Sequence, residues 1–271
     1  MHTHIFAKKS LGQHFLKNPK VVEKMIEAAG LRHSDLVLEI GPGTGMLTRG
    51  LLSAGARVIA IEADKRAVDV LEERFHKDTE SGQLVIHHAD VRERALADFV
   101  PKDTSYVIIA NIPYYLSGML LRETLSAAHQ PETIVFLVQK EVAERIARSK
   151  KESLLSLSVK VYGVPRYIAT VSKGNFSPAP KVDSAILAIE NISRKNFENL
   201  NEARFFEVLH AGFASRRKQL AGNLAALCKR TVLLELFETL GIPRNARGED
   251  LPVETWLMLA KRLTHYAQPA P

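Results

Sequence analysis

The stretch 37-VLEIGPGTG-45 constrains the fold more than any other part of the chain. An apolar run of strand character ends in glycines spaced G-x-G-x-G, and a helical pattern follows at once to about residue 53. Residues without a Cβ let the main chain adopt turns and close approaches that other residues forbid. A turn of this kind at a strand's C-terminal end therefore lets a ligand come against the backbone. Where a dinucleotide-binding fingerprint has its third glycine this chain has Met46, which disfavours NAD.

The rest of the first 190 or so residues repeats the alternation. Asn18 is placed to cap a helix with Pro19 at its first position, and Gly30 to end it. Strands are expected at 36–40, 57–61, 84–88, 106–110 and 133–138, with helices after the glycine turn, over 65–75, and after Leu116. Strands separated by helices pair in parallel, so an α/β doubly wound sheet is expected. Residues 154–162 fit helix or strand equally well. Residues 165–171 and 182–189, joined by the turn-rich FSPAPK, read as a terminal antiparallel pair. Beyond Asn191 only helical patterns remain, at 202–213, 218–228, 232–240 and 254–263, which puts a domain boundary between 1–191 and 192–271. A chain of 271 residues suffices for one large core and a small second one.

Polar residues recur at the ends of these strands. Glu62 lies 21 residues beyond Gly41, where an acid can accept both hydroxyl protons of an adenosine ribose. Asp90, in 86-IHHAD-90, can accept from an adenine amino group, and Asn111 ends the next strand. In an open α/β sheet such residues line one crevice. With no phosphate-binding lysine motif, the expected ligand is an adenosine without polyphosphate, which fits S-adenosylmethionine.

The stretch 105-SYVIIANIPYYLSG-118 then suggests the chemistry. An exocyclic amine of adenine is a poor nucleophile, because its lone pair is delocalised into the ring. The side-chain oxygen of Asn111 and the carbonyl of Ile112 can accept its two N–H bonds, Pro113 can fix the turn, and Tyr114 can stack on the base. Phe176, on the Pro-bounded loop 175-NFSPAPKVDSA-185, is the candidate for the base's second face.

Charge agrees with a polyanionic partner. The formal charge is +7 with a pI near 9.4; residues 1–22 hold Lys8, Lys9, Lys17 and Lys20 without an acid, and residues 145–182 hold eight basic residues against Glu152. Arg216, Arg217 and Lys218 add a further cluster, for RNA or for packing between domains. One cysteine, Cys228, excludes an internal disulfide framework and suits a reducing cytosol. No histidine spacing suggests a metal, and Asn111, Pro113, Ser117 and Gly118 argue against a membrane span at 104–121.

The ordered set 10-SLGQHFLKNP-19, 39-EIGPGTG-45, 61-IEAD-64, 111-NIPYYLS-117, 139-QKEVAERI-146, 174-GNFSPAPKVDSA-185 and 213-FASRRKQLAGNL-224 closely resembles the rRNA adenine N6,N6-dimethyltransferase family. The resemblance implies a Rossmann-like, seven-stranded S-adenosylmethionine-dependent methyltransferase domain and a small all-helical, rRNA-binding C-terminal domain. Carried over to this chain, the cofactor contacts are His14, Leu16, Gly41, Gly43, Glu62, Asp90 and Asn111, with no metal. The target base meets Asn111, Ile112, Pro113, Tyr114 and Phe176. The segments 212-GFASRRKQLAGNL-224 and 240-LGIPRNARGEDLPVETW-256 resemble the branch that dimethylates two adjacent adenines near the 3′ end of small-subunit (16S) rRNA in ribosome biogenesis. The implied partner is the small ribosomal subunit and its rRNA, met in the cytoplasm by a monomer with no membrane. Ile112 is instead the residue of the large-subunit (23S) macrolide-resistance branch, His14 stands where many members have Asn, and Tyr115 replaces a frequent Asn. A catalysis-independent assembly factor is the alternative from another class.

Overall fold

The structure, a computed structural model, describes residues 12–264. The chain forms two compact units. One runs to Glu144 and resumes over Val164–Ile192; the other takes Arg145–Gly163 and the chain from Ser193.

In the first unit the elements are β1 (Phe15–Leu16), α1 (Pro19–Ala29), β2 (Leu36–Ile40), α2 (Met46–Ser53), β3 (Arg57–Glu62), α3 (Lys65–Arg74), α4 (His76–Glu80) and β4 (Leu84–His88). They continue through β5 (Val107–Asn111), α5 (Ser117–Ser126), β6 (Thr133–Gln139) and α6 (Lys140–Ala147), whose end passes into the second unit. After α7 (Leu154–Lys160), which belongs to the second unit, come β7 (Val164–Val171), β8 (Phe176–Ser177) and β9 (Ser184–Glu190). Seven strands form one sheet in the order β4-β3-β2-β5-β6-β9-β7. The first five are parallel, and β9 lies antiparallel between β6 and β7, as the sequence pattern suggests.

One feature of this order positions the site. From β2 the chain builds outward to β3 and β4, then returns to place β5 on the other flank of β2. The crevice at that reversal opens beyond the carboxyl ends of the strands, where open α/β sheets bind ligands. Burial fixes the strands: all five residues of β2 are buried, and Val107 to Ala110 of β5 are too. The helix of 19–29 is capped as its residues dictate. Asn18 Oδ1 accepts from the Lys20 N–H at 3.0 Å, and Gly30 takes φ 60° at its end.

A second, two-stranded sheet pairs β1 antiparallel with β8, Leu16 opposite Phe176. It ties the segment entering α1 to the loop between β7 and β9. Both partners are buried in the core.

The second unit holds α7, α8 (Glu202–Gly212), α9 (Leu220–Leu224), α10 (Arg230–Thr239) and α11 (Val253–Leu263). Residues 154–162, ambiguous in sequence, are helical over α7, because Ser153 and Ser156 exchange side-chain and backbone hydrogen bonds in a capping box. Residues 145–163 belong here, against the expectation of a break after Asn191. Tyr162 packs on Phe197 and Phe206 and donates to Glu202, its carbonyl accepts from the Ser193 N–H, and the Glu152 N–H reaches the Glu249 carbonyl. The helix expected at 218–228 is shorter than its pattern and gives way to turns after Leu224, so Cys228 sits buried in a turn rather than in a helix. Trp256 anchors the unit. Its ring is fully buried and stacks on Phe213 at 5.6 Å, and a Cβ on Gly212 would lie 2.2 Å from it.

Candidate active site

The crevice beyond β2 and β5 holds a cavity that opens to solvent. Its walls are the turn after β2, the ends of β3 and β5, the segment after β4, and residues 12–16. Every expected cofactor residue lines it: His14, Leu16, Gly41, Gly43, Glu62, Asp90 and Asn111. So do Ile112, Pro113 and Tyr114, whereas Phe176 does not.

The glycine turn is held by a buried acid. Glu62 is 5% exposed, and its two oxygens accept from the Gly43 N–H at 3.0 Å and the Asp64 N–H at 2.9 Å. Burial raises its carboxyl above the ordinary value, opposed by those two bonds. Gly41, Gly43 and Gly45 all take positive φ. At Gly45, which precedes α2, a Cβ would also fall 2.5 Å from the Phe75 ring, so no other residue fits the turn. Arg74 donates to the Thr44 carbonyl and clamps the turn from α3.

Glu39 adds a charge question that strand character alone conceals. It is 1% exposed, it lines the cavity, and neither carboxyl oxygen has a hydrogen-bond partner. Burial pushes its pKa up to about 8, with the Glu62 carboxyl adding to the rise. Thr48 faces it and opposes the rise, yet no Thr48–Glu39 pair meets hydrogen-bond geometry, and the Thr48 hydroxyl is likewise without a partner. A polar residue inside the apolar run VLEI was the available sign of this group.

Asp90 is engaged rather than free. Arg92 donates through Nε to both its oxygens, at 2.9 and 3.1 Å, and hydrogen bonding to Arg92 holds the carboxyl below its usual range. Arg92 lines the cavity too, a role its sequence position did not announce.

On the opposite wall the Asn111 Nδ2 donates to the His14 carbonyl at 3.0 Å. That bond fixes the amide so that Oδ1 is its remaining acceptor. The His14 ring donates from Nδ1 to the Pro178 carbonyl at 2.8 Å and lies nearly parallel to Tyr114, with centroids 5.9 Å apart. Tyr114 shares a hydrogen bond of 2.7 Å with Ser184, and burial raises its phenol above the ordinary value, so the ring is neutral at physiological pH. Ile112 is 2% exposed.

The structure does not bring Phe176 to the cavity wall. Its ring is 2% exposed in the core and is pinned by the β1–β8 pair. An aromatic on a proline-bounded loop reads as exposed, but its partner Leu16 lies far away in sequence. The basic residues also sort differently. Lys151, Lys160 and Arg166 carry acid partners, whereas Lys173 and Lys181 form no ion pair among the described residues and line a second cavity with Lys140. Arg216, Arg217 and Lys218 are exposed; Lys8 and Lys9 lie outside the described residues. No group of His, Cys, Asp and Glu among the described residues is arranged to hold a metal, and no described helix is long and apolar enough to cross a membrane.

A seven-stranded sheet with one antiparallel strand, glycines at its switch point and an acid ending the next strand define a Rossmann-like methyltransferase. A match to the ribosomal RNA adenine dimethylase family spans residues 5–265, and the chain belongs to that family. It is 40% identical over 256 residues to ribosomal RNA small subunit methyltransferase A of Dehalococcoides mccartyi strain CBDB1, covering 93% of this chain and 87% of the relative. Against the protein of that name from Thermosynechococcus vestitus it is 35% identical, covering 97% and 99%. Among solved structures it is similar to a dimethyladenosine transferase from Plasmodium falciparum (TM-score 0.77, 27% identity, 94% of this chain and 99% of that one). It is similar also to the 23S rRNA methyltransferase ErmE (TM-score 0.73, 25% identity, 92% and 99%).

Proposed function

We propose that this chain dimethylates the N6 amines of two adjacent adenines near the 3′ end of small-subunit rRNA with S-adenosylmethionine, during assembly of the small ribosomal subunit. The observation that carries the reading is the Asn111 amide, locked by the His14 carbonyl at 3.0 Å in the same cavity as the Glu62-braced glycine turn. A nucleophile-orienting group and an adenosine-type subsite thus share one space.

The residues fit a cationic adenosine ligand. Two buried carboxyl groups, one without any partner, line the cavity, and a ligand bearing an ammonium and a sulfonium supplies the charge they lack. When bound, S-adenosylmethionine supplies an activated methyl group. Glu62 would hold the ribose hydroxyls, Asp90 the adenine amino group, and Gly41 and Gly43 admit the ligand to the backbone. Leu16 walls the cavity, and the Nε2 of His14, an acceptor while Nδ1 donates, is the ring atom left for a ligand hydroxyl or ammonium.

Asn111 Oδ1 and the Ile112 carbonyl accept the two N–H bonds of the target amine and aim its lone pair. Pro113 sets the turn and Tyr114 stacks on the base, offsetting the few kcal/mol of extruding it from the RNA. Phe176 supports residues 15–16 from the core rather than stacking. No metal enters the reading.

Ile112 favours the large-subunit alternative in sequence. Its side chain is buried, so either branched residue offers the same backbone carbonyl, and the position does not discriminate. The names of the curated relatives support the small subunit. The reading makes the protein a cytoplasmic monomer whose exposed Lys173, Lys181 and Arg216–Lys218 meet rRNA phosphates. The test is Asn111→Ala: methyl transfer to undermethylated small subunits is lost, while calorimetry shows S-adenosylmethionine binding weakened by less than about tenfold. Normal turnover in that variant would overturn the mechanism.

A further inference from the structure

Tyr115 stands apart from the cavity's other walls. Its side chain is 57% exposed, and it is the one aromatic among the large hydrophobic side chains exposed in the described residues. Core packing does not require it there. Two buried neighbours, Ile112 and Leu116, anchor the turn from inside, and the Leu116 N–H closes it on the Pro113 carbonyl at 2.9 Å. Within that turn Tyr114 swings inward to Ser184, and Tyr115 is left at the cavity's rim.

The ring is nonetheless placed. The Gly12 backbone lies close behind it, so that a Cβ at position 12 would stand 3.3 Å from the Tyr115 Cε1. Arg92 lies within electrostatic reach of the phenol and is itself held by Asp90 at the rim of the same cavity. An exposed aromatic backed by main chain, with a guanidinium on the wall of the same cavity, presents a stacking face beside a cation. Single-stranded nucleic acid is bound by that combination.

We propose that Tyr115 is the platform for the base next to the target adenine on the RNA strand, with Arg92 meeting the intervening phosphate. This inference rests on the rRNA reading of the cavity given above. Because Tyr114 and Tyr115 leave the turn in different directions, one nucleotide is taken inward and its neighbour is held at the rim. The strand is splayed between two stacked bases, and the extruded adenine is kept from rejoining its neighbour.

The test compares the wild-type chain with Tyr115→Ala and Tyr115→Phe on undermethylated small subunits at subsaturating RNA, with S-adenosylmethionine affinity measured separately by calorimetry. Tyr115→Ala should lower kcat/KM for subunits about tenfold, the worth of one base–aromatic stack, and Tyr115→Phe should restore it. Cofactor affinity should stay within about twofold of the wild type in both, since a stack at the rim touches the RNA alone. As a second readout, p-azidophenylalanine at position 115 is irradiated on the subunit and the crosslink mapped by primer extension. A crosslink to the nucleotide flanking the methylated adenine supports the platform. Three results overturn it: unchanged kcat/KM in Tyr115→Ala, an equal loss of cofactor affinity, or a crosslink to a ribosomal protein or a distant nucleotide. If the wild-type chain itself forms no N6,N6-dimethyladenosine, the rRNA reading fails first, and the inference with it.

Discussion

Glu39→Gln should change how the stability of the first unit depends on pH. Glu39 is buried, its oxygens have no hydrogen-bond partner, and its pKa is pushed up to about 8 from an ordinary 4.5. Below 4.5 the carboxyl is protonated in folded and unfolded chains alike and adds no slope. Between 4.5 and about 8 the unfolded chain gives up the proton and the folded chain keeps it, so stability falls as pH rises. Each unit is worth about 1.4 kcal/mol, and the whole window about 5 kcal/mol, comparable with the entire stability of a modest domain. Glutamine has the same shape and no charge. Near pH 5 the two cofactor-free proteins should therefore differ by no more than about 1 kcal/mol, and by pH 8 the variant should be the more stable by about 4 kcal/mol. Urea unfolding followed by far-UV circular dichroism from pH 5 to 8.5 measures this. Trp256 fluorescence reports the second unit as an internal control. Stability curves that run parallel in wild type and variant would refute the reasoning, because they would mean that the proton on Glu39 is not linked to folding.

Three further outcomes follow from the geometry. Glu62→Ala strands the N–H groups of Gly43 and Asp64, so calorimetry should show S-adenosylmethionine binding weakened about 100-fold while circular dichroism still shows a folded sheet. Tyr114→Phe gives up only the hydrogen bond to Ser184 and should keep the rate on subunits within about fivefold, whereas Tyr114→Ala removes the stacking face and should lower kcat/KM about 100-fold. Gly212→Ala drives a Cβ to 2.2 Å from the Trp256 ring and should destabilise the second unit by about 2–4 kcal/mol, read as an earlier urea transition in tryptophan fluorescence.

What the sequence disclosed depends on how local the physics is. The strand, glycine turn and helix at 36–53, the Asn18 cap and the polar strand ends each declare themselves within a few residues, and the structure brings Gly41, Glu62, Asp90 and Asn111 to one cavity. The β1–β8 pair could not be read. Each strand is two residues long and its partner lies in a distant part of the chain, so only tertiary packing creates it. The burial of Phe176 went unread for that reason. The second unit's claim on residues 145–163 likewise rests on Tyr162, whose contacts with Phe197, Phe206 and Glu202 are invisible to local pattern. The α7 helix was legible in principle, since 153-SLLS-156 carries its own capping box. Glu39 was hidden in plain view, for its charge acquires meaning only once the strand around it is known to be buried.

The most direct test of the account is to incubate the protein and S-adenosylmethionine separately with undermethylated small and large ribosomal subunits and to map N6,N6-dimethyladenosine in the rRNA by mass spectrometry. The account predicts two adjacent dimethyladenosines near the 3′ end of the small-subunit rRNA and none in the large subunit. A single modified adenine in the large subunit, or no product in either, would contradict it.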